Sequence, residues 1–425
     1  MKGSISRRRA LTMLAATSAG LLGSGCASRR PTGEHIVIVG GGFGGASCAR
    51  TLRALNPSLK ISLIESSKTY TACPFSNLVI AGLRQLQQQQ FSYSAIKQLN
   101  IDVIHQRVTD IDAEQSWVQL RDGRRLYYTR LVLAPGIDIA YDQLPGYDIP
   151  ASRQMPHAWK AGAQTLRLAR QVAAMPDGGL FVMAIPDNPY RCPPGPYERA
   201  SLIAHTLLKR NPRAKVLLLD SKDQFSKQTL FTQAWQNLYG SNVEWQGRSD
   251  GASVTRVEAS TGTLHTDFEQ VSADVANVIP PQRAGQVAML AGATDASGWC
   301  PVVAETFAST QVPRVHVIGD AAIANAMPKS AFAANAQARL CALQISRELA
   351  GMTPVKTKLL NTCYSLVKPD YGISVAGVYR PEGQYWRSIA GAGGASDLKT
   401  DTASRLAESD YARAWFGTLT GQVYE

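Results

Sequence analysis

The sequence predicts an α/β chain with two Rossmann-like dinucleotide-binding folds, the second without a nicotinamide site, followed by a C-terminal interface domain. Two observations carry the prediction. The stretch "EHIVIVGGGFGGASCARTLRAL" followed by "KISLIE" reads as a buried strand, a glycine turn, a helix and a second strand. Further along, "GLFVMAI" and "KVLLLD" repeat the apolar strand pattern around a helical stretch, "SLIAHTLLKR". A chain of 425 residues, 45% hydrophobic and 18% charged, is long and apolar enough for two or three domains with their own cores.

The first turn fits G-x-G-x-x-G at Gly40, Gly42 and Gly45. Gly40 permits the tight turn, Gly42 lets backbone approach a pyrophosphate, and Gly45 allows close helix packing. Glu65 ends the second strand, where a carboxylate accepts hydrogen bonds from a ribose diol. Two later strands end in Ala134-Pro135-Gly136 and in Gly319-Asp320. Together with the glycine turn, these segments resemble the two-dinucleotide-binding-domain flavoproteins. The resemblance implies FAD, with Ala134 and Gly136 where the chain crosses between domains and Asp320 on the ribityl or pyrophosphate region. The expected division is residues 33–150 and 270–350 for a discontinuous FAD domain, 151–269 for the second fold and 351–425 for the interface domain.

The turn that opens the second fold, "NPYRCPPGPYERAS", has four prolines and one glycine. Proline has no N–H to offer a phosphate, and its ring blocks close approach. The second fold is therefore expected not to bind NAD(P)H. Cys192 stands in this stiff turn ahead of a helix start, a position expected to favour thiolate.

Residues 1–32 read as a twin-arginine export signal, with Arg7 and Arg8 ahead of the mild apolar stretch "ALTMLAATSAGLLGSGCAS". Lipidation at Cys26 is the alternative processing. The expected location is the periplasm, reached already folded. The excess of 44 Lys+Arg over 32 Asp+Glu forms no dense stripe with interleaved aromatics, so nucleic acid is not an expected partner. The mature chain has no run apolar enough to span a membrane, and it has neither CxxC nor a Cys/His metal spacing.

Nine stretches carry a closer likeness: "YTACPFSNLVIAG", "LPGYD", "MPHAWKAG", "RCPPGPYERAS", "DSKDQFSKQ", "VIPPQRAG", "GWCPV", "VIGDAAIANAMPKSAFAANAQ" and "NTCYSLVKPDYGISVAGVYRP". On these the chain resembles the flavoprotein subunit of flavocytochrome c sulfide dehydrogenase. The resemblance implies a redox disulfide between Cys192 and Cys363, with Cys363 against the flavin ring. It implies a thioether from Cys73 to FAD, although Ala72 and Pro74 stand where bulkier residues are usual. Glu198 is expected to handle protons near the disulfide, and Lys329 to place positive charge near the flavin. His157 and Trp159 read as packing, and Cys48, Cys300 and Cys341 as core. Sulfide is the implied substrate, and a c-type cytochrome subunit or soluble cytochrome c the acceptor. With no CxxCH here, haem belongs to the partner chain. Sulfide:quinone reductase is the main alternative. A non-catalytic exported flavin-binding subunit is another. A pyridine-nucleotide disulfide reductase is disfavoured by the missing nicotinamide turn and the missing CxxC.

Overall fold

In the first sheet every residue of strand β1 (His35–Val39) is buried, because parallel sheets carry helices on both faces. A computed structural model describes residues 33–425; the expected export signal and Cys26 lie outside the described residues. After β1 come helix α1 (Phe43–Leu55), β2 (Lys60–Ile64), β3 (Asp102–Ile104) and β4 (Arg130–Leu133). Beyond β4, strand β5 (Ile137–Ile139) leads out of this fold.

The second fold contains β6 (Leu180–Ile185), α2 (Gly195–Arg210), β7 (Lys215–Asp220), α3 (Gln228–Tyr239), β8 (Val243–Gln246) and β9 (Val275–Val278). Its sheet runs β8-β7-β6-β9, all parallel. The chain returns through β10 (Gln282–Ala284), which pairs antiparallel with β5, so outgoing and returning strands cross side by side. Strand β11 (Val315–Val317) then completes the first sheet in the order β11-β4-β1-β2-β3.

This topology moves two expected boundaries. Residues 275–278 pair with the second sheet, so the return to the first fold lies beyond Val278 and not at 270. Leu144, Tyr147, Ala151 and Met155 pack with Val182, Leu219 and Val278 of the second fold, so that fold begins before 150. The alternation of short apolar runs looked the same on either side of each boundary.

Helix α4 (Ala331–Leu349) follows, capped by Ser330, whose Oγ accepts the Ala333 N–H at 3.0 Å. It packs along α1, with Asn335 Nδ2 donating to Ser47 Oγ at 2.8 Å. An antiparallel sheet comes next: β12 (Leu359–Lys368), β13 (Tyr371–Glu382) and β14 (Tyr385–Ser388). Helix α5 (Thr402–Tyr424) ends the chain. The tail expected as an interface region returns to the first fold. Tyr424 stacks on Tyr70 and Phe91 at 5.2 and 5.4 Å and donates its hydroxyl to Gly41 O at 3.1 Å. Residues 34–425 form one compact unit.

The glycine turn shows the tightest packing. A Cβ on Gly45 would stand 1.8 Å from Gly40 O. Gly45→Ala is expected to cost about 2 kcal/mol or more, read as a lowered urea midpoint. Gly394→Ala, whose added methyl meets nothing within 4 Å, is the control and should stay within about 0.5 kcal/mol of the parent.

Candidate active site

One cavity of about 550 Å³ runs between the glycine turn, the proline turn and β12. One end is built for a dinucleotide. Gly40 sits at φ +103°, and a Cβ there would meet Ala134 O at 2.2 Å. Gly42 precedes α1 with no side-chain cap, so the helix presents free N–H groups to the cavity. A Cβ on Gly42 would find nothing nearer than Tyr70 at 3.5 Å, so this stretch of wall stays open to a ligand. Glu65 lines the cavity, held by the N–H groups of Gly41 and Ser67, each at 2.9 Å. Ala134 and Gly136 line it as well, while Gly45 acts from behind, in the helix packing.

Asp320 also lines the cavity. Burial pushes its carboxyl up, opposed by Arg191, 4.0 Å away, and by Lys329. Its Oδ1 is buried without a partner. A buried orphan acceptor calls for a donor, and the hydroxyls of a ribityl chain supply one. The glycine cradle, Glu65 and Asp320 thus fit FAD.

The other end holds three thiols: Cys73, Cys192 and Cys363 all line the same cavity. Cys192 precedes α2 at φ +58°, a left-handed conformation unusual for a side-chain-bearing residue. Its N–H donates to Lys329 O and its carbonyl accepts from Gly195 N, each at 2.8 Å. Gly195 leaves room for the thiol, since a Cβ there would lie 3.1 Å from Cys192 Sγ. Cys363 comes from β12. Both thiols are free in the structure, and each lies close enough to Glu198 to feel its charge.

Two expectations are corrected here. Cys192 does not favour thiolate: burial pushes the thiol well up, with Cys363 and Glu198 adding to it against Arg191 and Lys227. Desolvation outweighs the helix start. Lys329 does not direct its charge into the cavity. Its Nζ donates to Asp320 O at 2.7 Å and Ala322 O at 2.9 Å and lies 3.8 Å from the Trp299 ring centroid. Its backbone, not its ammonium, serves the site.

Glu198 lines the cavity and ties its walls together. One oxygen accepts from Asn77 Nδ2 at 2.8 Å and the other from Leu366 N at 2.9 Å. Burial raises its pKa. Trp159 reaches the cavity wall. His157 does not: its Nδ1 accepts the Trp159 N–H at 3.0 Å, and it packs behind.

Sequence reasoning passed over four groups. Lys227 donates to Cys363 O at 2.9 Å and Ser365 Oγ at 2.8 Å, and burial lowers it to about 8. It lies inside "DSKDQFSKQ", with no periodicity to mark it. Arg191, beside Cys192, faces Asp320 across the cavity wall. Gln89, from the polar stretch "QLQQQQ", is buried and donates to the carbonyls of Ala72 and Pro74, on either side of Cys73. Asn361, two residues before Cys363, donates to its sulfur at 3.3 Å; strand alternation in "NTCYS" was the signal.

In the second fold, Asp220 ends the second strand, as Glu65 does in the first. It is fully buried and accepts from Tyr197 Oη at 2.6 Å, Trp245 Nε1 at 3.0 Å and Lys222 Nζ at 2.5 Å. Its acceptor oxygens are thus taken up by the chain's own side chains.

Three family models match: sulfide dehydrogenase (flavocytochrome c) flavoprotein chain, central, over residues 165–280; flavocytochrome c sulphide dehydrogenase, flavin-binding, over 355–423; and pyridine nucleotide-disulphide oxidoreductase over 34–170. The chain is 52% identical over 46 residues to the sulfide dehydrogenase (flavocytochrome c) flavoprotein chain of Chlorobaculum thiosulfatiphilum, covering 11% of this chain and 96% of that one. It is 21% identical over 301 residues to the mitochondrial sulfide:quinone oxidoreductase of Mus musculus, covering 67% of this chain and 65% of the mouse protein, under two thirds of its length. The solved sulfide:quinone oxidoreductase of Aquifex aeolicus superposes with a TM-score of 0.70 at 16% identity over 92% of each chain, a likeness of fold.

Burial of His157 makes a pH prediction. In the folded chain it stays neutral down to about 3, against an ordinary 6.5. Its contribution is complete above pH 6.5 and is lost as pH falls toward 3, because the unfolded chain takes up the proton first. Between pH 7 and 5, His157→Gln should lose about 2 kcal/mol less stability than the parent, measured by urea unfolding at each pH.

Proposed function

This chain belongs to the family of sulfide dehydrogenase flavoproteins and related sulfide:quinone reductases, and on that premise we propose that it oxidises sulfide through a Cys192–Cys363 disulfide beside bound FAD. The observation that carries the reading is the meeting of Cys192 and Cys363, from distant parts of the chain, in the cavity that also holds the dinucleotide cradle. Gly40, Gly42, Glu65 and Asp320 would hold FAD. When bound, FAD supplies the two-electron acceptor that returns the dithiol to the disulfide and releases electrons singly.

Hydrosulfide attacks Cys192 Sγ, and the Cys192–Cys363 bond breaks. Its electron pair leaves with Cys363 as thiolate, and Cys192 is left as a persulfide. A second hydrosulfide takes the outer sulfur, departs as HSS⁻ and leaves Cys192 as a thiol. Glu198 takes the proton shed when hydrogen sulfide enters as hydrosulfide. Lys227 is the cation that offsets negative charge at Cys363.

Cys73 is the residue for a covalent flavin link, with Gln89 fixing the backbone on both sides of it. NAD(P)H is excluded by the proline turn and by the filled Asp220 site. The electron acceptor is a c-type cytochrome, in keeping with the two flavocytochrome c models. Quinone is the second reading, favoured by the mouse and Aquifex likenesses. Among the described residues no helix is long and apolar enough to cross a membrane. Export folded to the periplasm rests on the Arg7-Arg8 pair.

Anaerobic sulfide should bleach the flavin of the purified protein, and NADH should not; bleaching by NADH alone would end the reading. Cys363→Ser should slow sulfide bleaching by about a hundredfold or more, and an unchanged rate would remove the disulfide from the mechanism. Acid precipitation should leave yellow protein, and Cys73→Ser should release the colour to the supernatant. Turnover with cytochrome c against a short-chain quinone decides the acceptor.

A further inference from the structure

The amide of Asn361 has no part in the steps above, yet it touches the sulfur on which they turn. Alternation along β12 places Asn361, Cys363 and Ser365 on one face. Asn361 is 2% exposed. Its Nδ2 donates to Cys363 Sγ at 3.3 Å, and its Oδ1 accepts from Ser330 Oγ at 2.5 Å. Ser330 is the cap of α4, and its Oγ already accepts the Ala333 N–H at 3.0 Å.

A hydroxyl has one hydrogen to give. The Ala333 N–H occupies the acceptor side of Ser330, which leaves that hydrogen for Asn361. The amide is thereby oriented, with its oxygen toward Ser330 and its nitrogen toward the sulfur. A flipped amide would turn its NH2 away from the thiol and its oxygen toward it. An amide N–H donates at every pH, so it favours the form of Cys363 that only accepts, the thiolate.

We propose that Asn361 is a catalytic residue that stabilises the Cys363 thiolate, and that Ser330, fixed at the start of α4, is the positioning residue that aims it. The proposal rests on the reading that Cys363 is the leaving sulfur, and it accounts for the direction of attack. A disulfide opens faster toward the sulfur whose anion is better held, and Cys192 has no such donor among its hydrogen bonds. Other groups facing Cys363 are Lys227, which favours its charge, Glu198, which opposes it, and Cys192 and Tyr379, which are themselves pushed up by it.

The test measures ionisation of Cys363 alone, in flavin-loaded full-length protein carrying Cys192→Ser. It stands whether or not the disulfide reading holds. Iodoacetamide labelling of the Cys363 peptide is followed by mass spectrometry across a pH series. Asn361→Leu should move the labelling midpoint upward and slow labelling about tenfold at pH values below both midpoints. An unmoved profile in a variant with the parent's melting temperature would overturn the proposal. If Asn361→Leu does not fold, the Ser330 pair decides. Ser330→Ala should shift the profile in the same direction, and Ser330→Thr, which keeps the hydroxyl and the cap, should restore it. Equal shifts in both, or a shift in neither, would also overturn it.

Discussion

The candidate active site depends on one half-buried carboxylate. Glu198 joins three segments, each bearing a cysteine. Asn77, four residues after Cys73, donates to one oxygen; Leu366, three residues after Cys363, donates to the other; and Glu198 itself follows Cys192 on the same turn and helix. Arg199 completes the knot through Asn77 Oδ1 at 2.9 Å and reaches the carbonyls of His157 and Ala158. A charge shut away from water without partners is costly, and these hydrogen bonds meet that need for Glu198. The same bonds bring the three thiols into one cavity.

Burial sets the chemistry of the thiols. Both Cys192 and Cys363 are pushed upward by desolvation, so neither is a standing thiolate. That suits a disulfide resting state, in which neither sulfur carries charge. In the mechanism proposed, charge appears only when that bond opens, and the two sulfurs then have different surroundings. Glu198 and Lys227 act on both sulfurs, but Cys363 has Asn361 hydrogen-bonded to its sulfur, whereas Cys192 has Arg191 beside it and a backbone at φ +58°. Lys227 is itself weakened to about 8 by burial, so its charge is strengthened by the thiolate it serves. A charge-assisted hydrogen bond is worth about 1.5–3 kcal/mol. Asn361 makes such a contact with the Cys363 sulfur, whereas Lys227 binds the Cys363 carbonyl and acts on the sulfur through its charge.

Much of this was legible in the sequence, and what was missed shares a cause. The glycine turn, Glu65 and Asp320 announce themselves by their place after apolar strands, and the structure brings them to one cavity. The proline turn marked Cys192 by what it lacked. Cys363 stood in no local pattern, and only likeness to a family pointed to it. The boundary at 270 was misread because β9 pairs with a strand nearly a hundred residues earlier, which no local period records. Lys329 was misread because its neighbours in sequence do not show that Trp299 lies under its ammonium. Gln89 looked like one of a run of exposed glutamines, yet it is the one turned inward. The boundary, Lys329 and Gln89 each turn on a contact with a distant part of the chain.

The second fold repeats the architecture of the first with different residues at its turn and its strand-end acid. Parallel strands and a crossover helix still place a turn at the head of α2 and an acid at the end of β7. In the first fold the equivalent places are open: glycines bare the helix N–H groups, and Glu65 faces the cavity. In the second, prolines replace the glycines, and Asp220 is covered by Tyr197, Trp245 and Lys222. The aromatic cover extends outward, with Tyr197 stacked on Phe225 at 3.6 Å and Phe225 against Trp245 at 5.4 Å. Reopening that site would require several large side chains to move and would leave a buried carboxylate without its donors. The prolines and the aromatic plug act together, one stiffening the mount of Cys192 and the other stabilising the sheet beneath it.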